Sequence, residues 1–370
     1  MYKSIDERQK MKTAQSADNI NAVQQCNITF IIGNGFDLNL GMKTKYCDMY
    51  DGYIKTPSDS KVIESFKHEL KHRDPYDKWS DFEMAMAQYA GALQSEHDLI
   101  ECVRDFKTYL VNHLRNEDLK AQELFSLNSN SRYTVKELNN SLDGFYSKLI
   151  PNTVNEIKSL IENKIINYNF ITFNYTSSLE YVLKLKEQHQ QIKTAPPIHI
   201  HGTLDEDVVL GIDNLEQLTS SKYTLSRRGQ RTFVKTLFND QYDKSRVAKA
   251  KKIISESSVI CVYGWSLGAS DKTWTDLLVN WMMKDFNHHL VIYQYDTKKY
   301  YRHNFDEIMD VEDEKKDIIL SALNISDEPL IFDQIHIPIG QNIFNFGTVR
   351  ENQQQKAEFM DDELFTAINT

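Results

Sequence analysis

The sequence contains few cysteines, no long apolar run and no excess of positive charge. Its 370 residues include four cysteines, none of them in a Cys-x-x-Cys pair, which excludes a structural zinc site of the ribbon type. Unpatterned cysteines are typical of a reducing compartment. No run of about 18 apolar residues is available to cross a membrane, and the polar N-terminal residues show no signal peptide. We therefore expect a soluble, cytoplasmic protein without a membrane partner.

The net charge of −10 argues against non-specific binding of a polyanion over the whole surface. One segment, Lys222 to Lys252, is nevertheless basic. It is either a solvated helix face or a phosphate-facing surface that helps to bind nucleotide or nucleic acid. Because the chain as a whole is acidic, we expect nucleic acid not to be a partner. The cationic residues of this segment include Arg227, Arg228, Arg231, Lys235, Lys244, Arg246, Lys249 and Lys251.

The most informative stretch is a short apolar run, residues 28–32, that breaks into glycines. This pattern predicts a buried strand, a tight turn and then a helix. Backbone N–H groups at such a turn point outward and can bind phosphate, and Gly33 and Gly35 would let a pyrophosphate come close. The third glycine, Gly41, is too distant for the dehydrogenase fingerprint. The candidate binding residues of this turn are Gly33, Asn34, Gly35, Phe36 and Asp37.

Three further apolar segments end in small, polar or basic residues. They are residues 169–173 before Asn174-Tyr175-Thr176, residues 197–200 before His201-Gly202, and residues 259–263 before Gly264-Trp265-Ser266-Leu267-Gly268. Open α/β sheets bind ligands in the crevice at the carboxyl ends of their strands. The sequence therefore predicts one crevice on which all four strand ends converge.

The fold class predicted is α/β, with a mostly parallel sheet and an inserted α-helical subdomain. We divide the chain into a polar arm (1–26), the first part of the sheet domain (27–58), a helical insertion that could cover the crevice (59–166), the second part of the sheet domain (167–300) and a C-terminal extension (301–370). Residues 116–140 are expected to be a mobile connection. Strands are predicted at 197–201, 208–211, 258–263 and 289–295, and helices at 177–188, 244–256 and 272–285. Asp310 to Asp317 is a charge cluster expected in a solvated turn or helix end.

The order GNGFD, FNYT, HIHG and YGWSLGASD resembles the AbiH family of bacterial phage abortive-infection proteins, over most of residues 27–296. The same blocks are similar to the sirtuin-like Rossmann fold. Gly33-Asn34-Gly35-Phe36-Asp37, three residues and then Gly41 has the glycine spacing of the sirtuin opening motif. Thr172-Phe173-Asn174-Tyr175-Thr176 is similar to Thr-Gln-Asn-x-Asp, and His201-Gly202 resembles the sirtuin catalytic His-Gly.

The resemblance implies that Asn174 holds a nicotinamide ribose and the attacking water, and that His201 is the catalytic base. It also implies that Thr172, Tyr175, Gly264 and Ser266 help to bind the dinucleotide. Asp271 either binds a ribose of that ligand or caps the next helix. Thr176 stands where sirtuins place an aspartate that contacts nicotinamide, so recognition of that ring differs. Sirtuin deacylases use the zinc ribbon beside their acyl-peptide cleft, and its loss favours NAD+ hydrolysis over deacylation.

Several residues allow more than one interpretation. His199 and His201 alternate along one strand and could share a metal, but spacing places no third ligand, and we expect no metal. Ser266 matches the hydrolase pattern Gly-x-Ser-x-Gly, which would need Asp296 or Asp306 with His303 or His336. Trp79 is expected in a core. Glu83 either faces the crevice or is exposed, and Asp37 either caps a helix or binds ligand.

The expected function is an anti-phage abortive-infection effector that hydrolyses NAD+, its substrate, to ADP-ribose and nicotinamide. A phage-derived trigger and a homo-oligomer are possible partners. The alternatives are a nucleotide-binding sensor without catalysis and a defence protein that acts on nucleic acid.

Overall fold

The computed structural model describes residues 24–73, 82–126, 131–190, 194–218, 222–294, 305–323, 325, 329–339 and 342–347. In these residues six parallel strands form one sheet in the order β3-β2-β1-β4-β5-β6. The strands are β1 (Gln25–Ile32), β2 (Ile165–Thr172), β3 (Ile198–His199), β4 (Val259–Tyr263), β5 (His289–Tyr293) and β6 (Ile335–His336). The expectation of a parallel α/β sheet is confirmed. This strand order is the one found in open sheets that bind dinucleotides where the order reverses.

The sheet forms because its central strands are apolar on both faces. Ile28, Phe30 and Ile32 of β1 pack into a core on one face, whereas Ile31 packs into a core on the other. All five residues of β4 and all five of β5 are buried, as parallel strands covered on both faces require. β1 therefore lies at the centre, between β2 and β4.

In the described residues between β1 and β2, the only assigned elements of secondary structure are helices, joined by turns and loops. These are α1 (Gly35–Asn39), α2 (Tyr46–Lys55), α3 (Lys61–Arg73), α4 (Phe82–Ala90), α5 (Glu96–Ser126), α6 (Ser131–Gly144) and α7 (Pro151–Ile161). Phe82 and Phe106 stack with centroids 3.8 Å apart in a third core of this helical segment, which also includes Met49, Phe66 and Leu110. Trp79 lies outside the described residues.

The remaining helices cover the sheet or lie beyond it. They are α8 (Ser178–Gln190), α9 (Arg227–Phe233), α10 (Lys235–Tyr242), α11 (Lys244–Glu256), α12 (Lys272–Lys284), α13 (Phe305–Ala322) and α14 (Pro329–Phe332). Helix α11 has the predicted bounds, and α8 and α12 lie within a few residues of theirs. Within the described part of the chain, no helix combines the length and apolar character needed to cross a lipid bilayer.

The expected mobile connection at 116–140 is wrong. Helix α5 continues to Ser126 and α6 begins at Ser131, and only residues 127–130 of this range fall outside the description. The polar composition hides a periodic apolar face, because Ala121, Leu124 and Leu138 are buried in the core beside β1. Helices of this length are held by such a face rather than by composition.

The predicted strand at 208–211 is also wrong. Val208 to Leu210 are buried, but the segment forms no ladder, and only an isolated bridge joins Ile212 to Val234. An apolar run bounded by a turn does not identify a strand unless an edge is available for pairing.

The C-terminal part of the chain adds a strand to the sheet and a side chain to its core. Ile335 and His336 form β6 at the sheet edge, and Phe344 packs in the core against Phe30 and Phe36. The charge cluster 310–317 lies inside α13, not in a turn. Two of its residues, Glu312 and Lys316, are buried and paired at 3.2 Å.

Candidate functional site

A cavity of about 960 Å³ lies at the carboxyl ends of the central strands, and we call it the sheet-edge cavity. The segments that follow β1, β2, β3 and β4 all line it, as the sequence predicted. Ten of the twelve predicted site residues contribute to its wall: Gly33, Asn34, Gly35, Asp37, Asn174, Tyr175, His201, Gly264, Ser266 and Asp271. The helical segment after β1 covers it through Tyr46, Cys47, Glu83, Leu110 and Leu114, and α13 contributes Ile318 and Ala322.

Two predicted binding residues do not line this cavity. Phe36 is 1% exposed and packs edge-on against Tyr263 and Phe344, so it belongs to the core. Thr172 is also buried, and its hydroxyl accepts a hydrogen bond from the backbone N–H of Asn174 at 3.1 Å. Both residues therefore lie behind the wall of the cavity.

Three N–H groups of the glycine turn already donate to backbone carbonyls within the protein. The N–H of Gly33 donates to the carbonyl of Tyr263 at 2.9 Å, that of Gly35 to Gly264 at 2.8 Å, and that of Phe36 to Gly33 at 3.0 Å. Helix α1 has only five residues, so its dipole is small. These three N–H groups are therefore not available to bind phosphate in this structure.

The glycines serve the packing of two loops. A Cβ atom added at Gly35 would lie 2.4 Å from Cα of Gly264, and one added at Gly33 would lie 2.5 Å from Cα of Trp265. Gly264 itself adopts a φ of +69°, a conformation that glycine accepts without steric cost. The turns after β1 and β4 thus press together and form one floor of the cavity.

Asp37 is a buried carboxylate on this floor. The hydroxyls of Thr176 and Ser178 donate to its two oxygens at 2.7 and 2.5 Å. Burial raises the pKa of Asp37 to about 6, although hydrogen bonds from Ser178, Thr176 and Asn174 oppose that rise. Asp37 is not a helix cap, because its oxygens are taken by the segment after β2.

Asn174 is held at the end of β2 by its backbone. Its N–H donates to Thr172, and its carbonyl contacts Nδ1 of His199 at 2.8 Å. The other ring nitrogen of His199 bonds to Glu180. Burial lowers the pKa of His199, but the hydrogen bond and charge of Glu180 outweigh it and raise the pKa above its ordinary value. His199 is therefore a structural residue that positions Asn174.

His201 points elsewhere, because β3 ends at His199 and the alternation stops there. Its Nε2 lies 3.1 Å from Oδ1 of Asp271. This is a close contact and not an aligned hydrogen bond, since Nε2 has no hydrogen-bond partner of suitable geometry among the described residues, and it becomes an ion pair only when the ring is protonated. Gly202, at a φ of +80°, turns the chain directly afterwards.

Asp271 and His201 belong to a buried charge cluster that also contains Lys235 and Glu83. The ammonium group of Lys235 donates to Glu83 at 2.6 Å, to Asp271 at 3.0 Å and to the carbonyl of Ser270 at 3.1 Å. The second oxygen of Glu83 accepts the N–H of Gly211 at 3.1 Å. Two carboxylates therefore share one ammonium group, and a histidine touches one of them.

The pKa values in this cluster follow from burial and from Lys235. Burial and the nearby Lys235 lower the pKa of His201, against the attraction of Asp271, so its imidazole is neutral at neutral pH. Burial raises the pKa of Asp271, but Lys235 and His201 outweigh it and lower the value. Burial likewise raises the pKa of Glu83, to about 7, despite the attraction of Lys235. A neutral histidine in a cavity is suited to accept a proton.

Ser266 is exposed and lines the cavity, but the structure does not bring His336 to it. His336 lies in β6, with Nε2 3.0 Å from His289 and Nδ1 3.4 Å from Thr153. Asp296 and His303 lie outside the described residues.

Trp265 and Leu267 flank Ser266. Trp265 stacks on Phe173 with centroids 4.5 Å apart, and Leu267 takes a φ of +55°. No group of three or more His, Cys, Asp and Glu suited to a metal occurs in the described ranges.

Lys235 is the site residue that sequence reasoning missed. It was grouped with the basic segment, yet it is 4% exposed. A lysine directly after the buried pair Phe233 and Val234 was the available signal, because a charge in an apolar context requires partners. Glu83, which the sequence left open between crevice and solvent, is buried and faces the cavity.

The fold and the site define a class: a parallel α/β protein with a large cavity where the strand order reverses. Residues 29–295 match the family described as "Bacteriophage abortive infection AbiH". Since this match covers more than half of the chain, the protein belongs to the AbiH family, which indicates a role in abortive-infection defence against phage. Comparisons with curated proteins and with solved structures gave no significant match.

Proposed function

We propose that the protein hydrolyses NAD+ to ADP-ribose and nicotinamide in the sheet-edge cavity when phage infection activates it. The observation that carries this proposal is the convergence of Asn174, the neutral His201 and the buried carboxylates Asp37 and Asp271 on one cavity. Its volume of about 960 Å³ lies at the upper end of the usual range for ligand pockets, as a dinucleotide requires.

The reaction asks little of the protein. Nicotinamide leaves as a neutral base when the C–N glycosidic bond breaks, so the leaving group needs no acid. Water then adds its oxygen to the anomeric carbon of an oxocarbenium-like ribose. His201 accepts the proton that this water loses, while Asn174 holds the ribose and the water. The proton later returns to solvent.

Asp37 supports this proposal from an unexpected direction. The resemblance to sirtuins lacks an aspartate at Thr176, but the hydroxyl of Thr176 donates to Asp37 at 2.7 Å. A carboxylate therefore lies next to the position where the resemblance expects one, supplied by the turn after β1. A buried carboxylate also favours positive charge as it develops on the ribose.

The proposal is tested in cells challenged with phage. We expect NAD+ to fall with the parent protein and to stay constant with His201→Gln or Asn174→Ala, because loss of a general base costs about 10²–10⁴-fold in rate. His72→Ala, which removes an exposed histidine, is the matched control and should behave like the parent. If both variants still protect the cells, and NAD+ does not fall with the parent protein either, the reaction is excluded and a binding role is favoured.

A further inference from the structure

A second cavity of about 440 Å³ lies behind Lys235, and we call it the basic cavity. Besides Lys235, four cationic side chains line it, Arg104 and Lys107 from α5 and Arg228 and Arg231 from α9. Its aromatic wall is formed by Phe238 and Tyr242 of α10, which stack with centroids 5.1 Å apart. Val103, Val208, Leu210 and Val234 complete an apolar wall.

The charges of this cavity do not cancel. Lys107 pairs with Asp207 at 3.4 Å, and Asp207 is the only acid that lines the cavity. Within the described ranges, none of the three arginines has a carboxylate within ion-pair distance. Glu96, Glu101 and Asp105 line a neighbouring cavity, to which Arg104 and Arg228 also contribute. The pKa of Glu96 is lowered by hydrogen bonds from Ser226 and, more weakly, by Arg228. A surplus of positive charge therefore faces the cavity of an acidic protein.

The aromatic wall indicates that the ligand also carries a flat group. Tyr242 is 60% exposed, and its ring stacks on Phe238. An exposed aromatic face beside guanidinium groups is suited to stack a flat base while the arginines hold phosphate oxygens. The volume is that of a pocket for one small ligand and not of a groove for a polymer.

We propose that the basic cavity binds a nucleoside phosphate as a second ligand, separate from the substrate of the sheet-edge cavity. The two cavities share a wall. Lys235 lines the basic cavity, while its ammonium group holds Glu83, Ser270 and Asp271, which line the other. Val209, also in the basic cavity, donates its N–H to the carbonyl of His201 at 2.8 Å. The ligand thus binds directly behind the residues that hold His201.

Calorimetric titration of the full-length protein with ADP tests the proposal, and the reaction in the other cavity does not affect the result. We expect Arg228→Gln combined with Arg231→Gln to remove one class of ADP sites, with at least a tenfold loss in affinity. Tyr242→Ala should weaken ADP about tenfold, as expected for a lost stacking contact, and leave pyrophosphate binding unchanged. Any ADP bound in the sheet-edge cavity forms a second class that all these variants keep.

The matched control changes Lys249 and Lys251 to Gln, two exposed lysines of the same basic segment that do not line the cavity. It should bind ADP like the parent. Identical ADP titrations of the parent and the double arginine variant would overturn the proposal. Equal affinities for ADP and pyrophosphate would also overturn it, because they indicate a simple anion site. A salt-sensitive affinity for single-stranded RNA that the control variant loses as well would do the same, because it indicates a surface that binds a polymer.

Discussion

Replacing Lys235 by Met tests the buried charge cluster most severely. The side chains of Lys235, Glu83 and Asp271 are only 4%, 6% and 12% exposed. Removal of the ammonium group therefore leaves two carboxylates buried without a counter-charge, and breaking a buried pair in this way costs about 3–5 kcal/mol of unfolding free energy. Chemical denaturation at pH 8 measures this loss.

The matched control is Lys272→Met. Lys272 also contacts a carboxylate, Asp276, at 2.7 Å, but the two side chains are 44% and 49% exposed. An exposed pair of this kind contributes about 0–1 kcal/mol. The two lysines thus differ in burial and not in the chemistry of their partners.

Two further readouts separate lost electrostatics from lost packing. Without Lys235 the folded-state pKa of Glu83, already above its ordinary value, rises further, and that of Asp271 rises above its unfolded value. Unfolding free energy therefore falls as pH rises through these pKa values. The deficit of Lys235→Met should therefore shrink between pH 8 and pH 5. In addition, Lys235 lowers the pKa of His201, and NMR titration should show that pKa rising in the variant. An equal loss in both variants, or a His201 pKa that stays constant, would refute the electrostatic account.

Three other predictions follow from the site. Burial raises the pKa of Asp37 from 3.8 to about 6, so ionisation of this group in the folded protein costs about 3 kcal/mol. The unfolding free energy should therefore fall as pH rises from 4 to 6. Asp37→Asn should flatten this pH dependence in denaturation curves, whereas the exposed Asp51→Asn should not. Gly35→Ala should lower stability by about 1–3 kcal/mol through overpacking against Gly264, and an unchanged melting temperature would show that the two loops do not press together. Because the pKa of His201 is lowered, the acid limb of NAD+ hydrolysis should lie below pH 6.5, and a limb above that value would contradict His201 as the base.

The sequence predicted the elements whose signals are local. Apolar runs identified the central strands, and the alternation of strands with helical segments identified helices such as α11 and α12. The convergence of the strand ends on one cavity followed from the rule for parallel sheets. Composition gave a wrong prediction at residues 116–140, where we expected a mobile connection. The exposed faces of α5 and α6 carry many polar residues there, and these obscure the buried apolar face.

The charge cluster was not predictable, because its members are distant in sequence. Glu83 and Lys235 are 152 residues apart. The same is true of the hydrogen bond between Asp37 and Thr176, outside this cluster, which joins residues 139 positions apart. No local pattern marks such pairs, and only the packing of the helical segment against the sheet brings them together. The two-residue strand β6 was missed for a related reason, since its pairing depends on a free edge of β5 and not on its own sequence.

The central claim is that the sheet-edge cavity cleaves NAD+. The most direct measurement incubates NAD+ with protein recovered from phage-infected cells and separates the products by chromatography. The account predicts equal amounts of nicotinamide and ADP-ribose from the parent protein and almost none from His201→Gln. Intact NAD+ with the parent, or equal hydrolysis by the parent and His201→Gln, would contradict it.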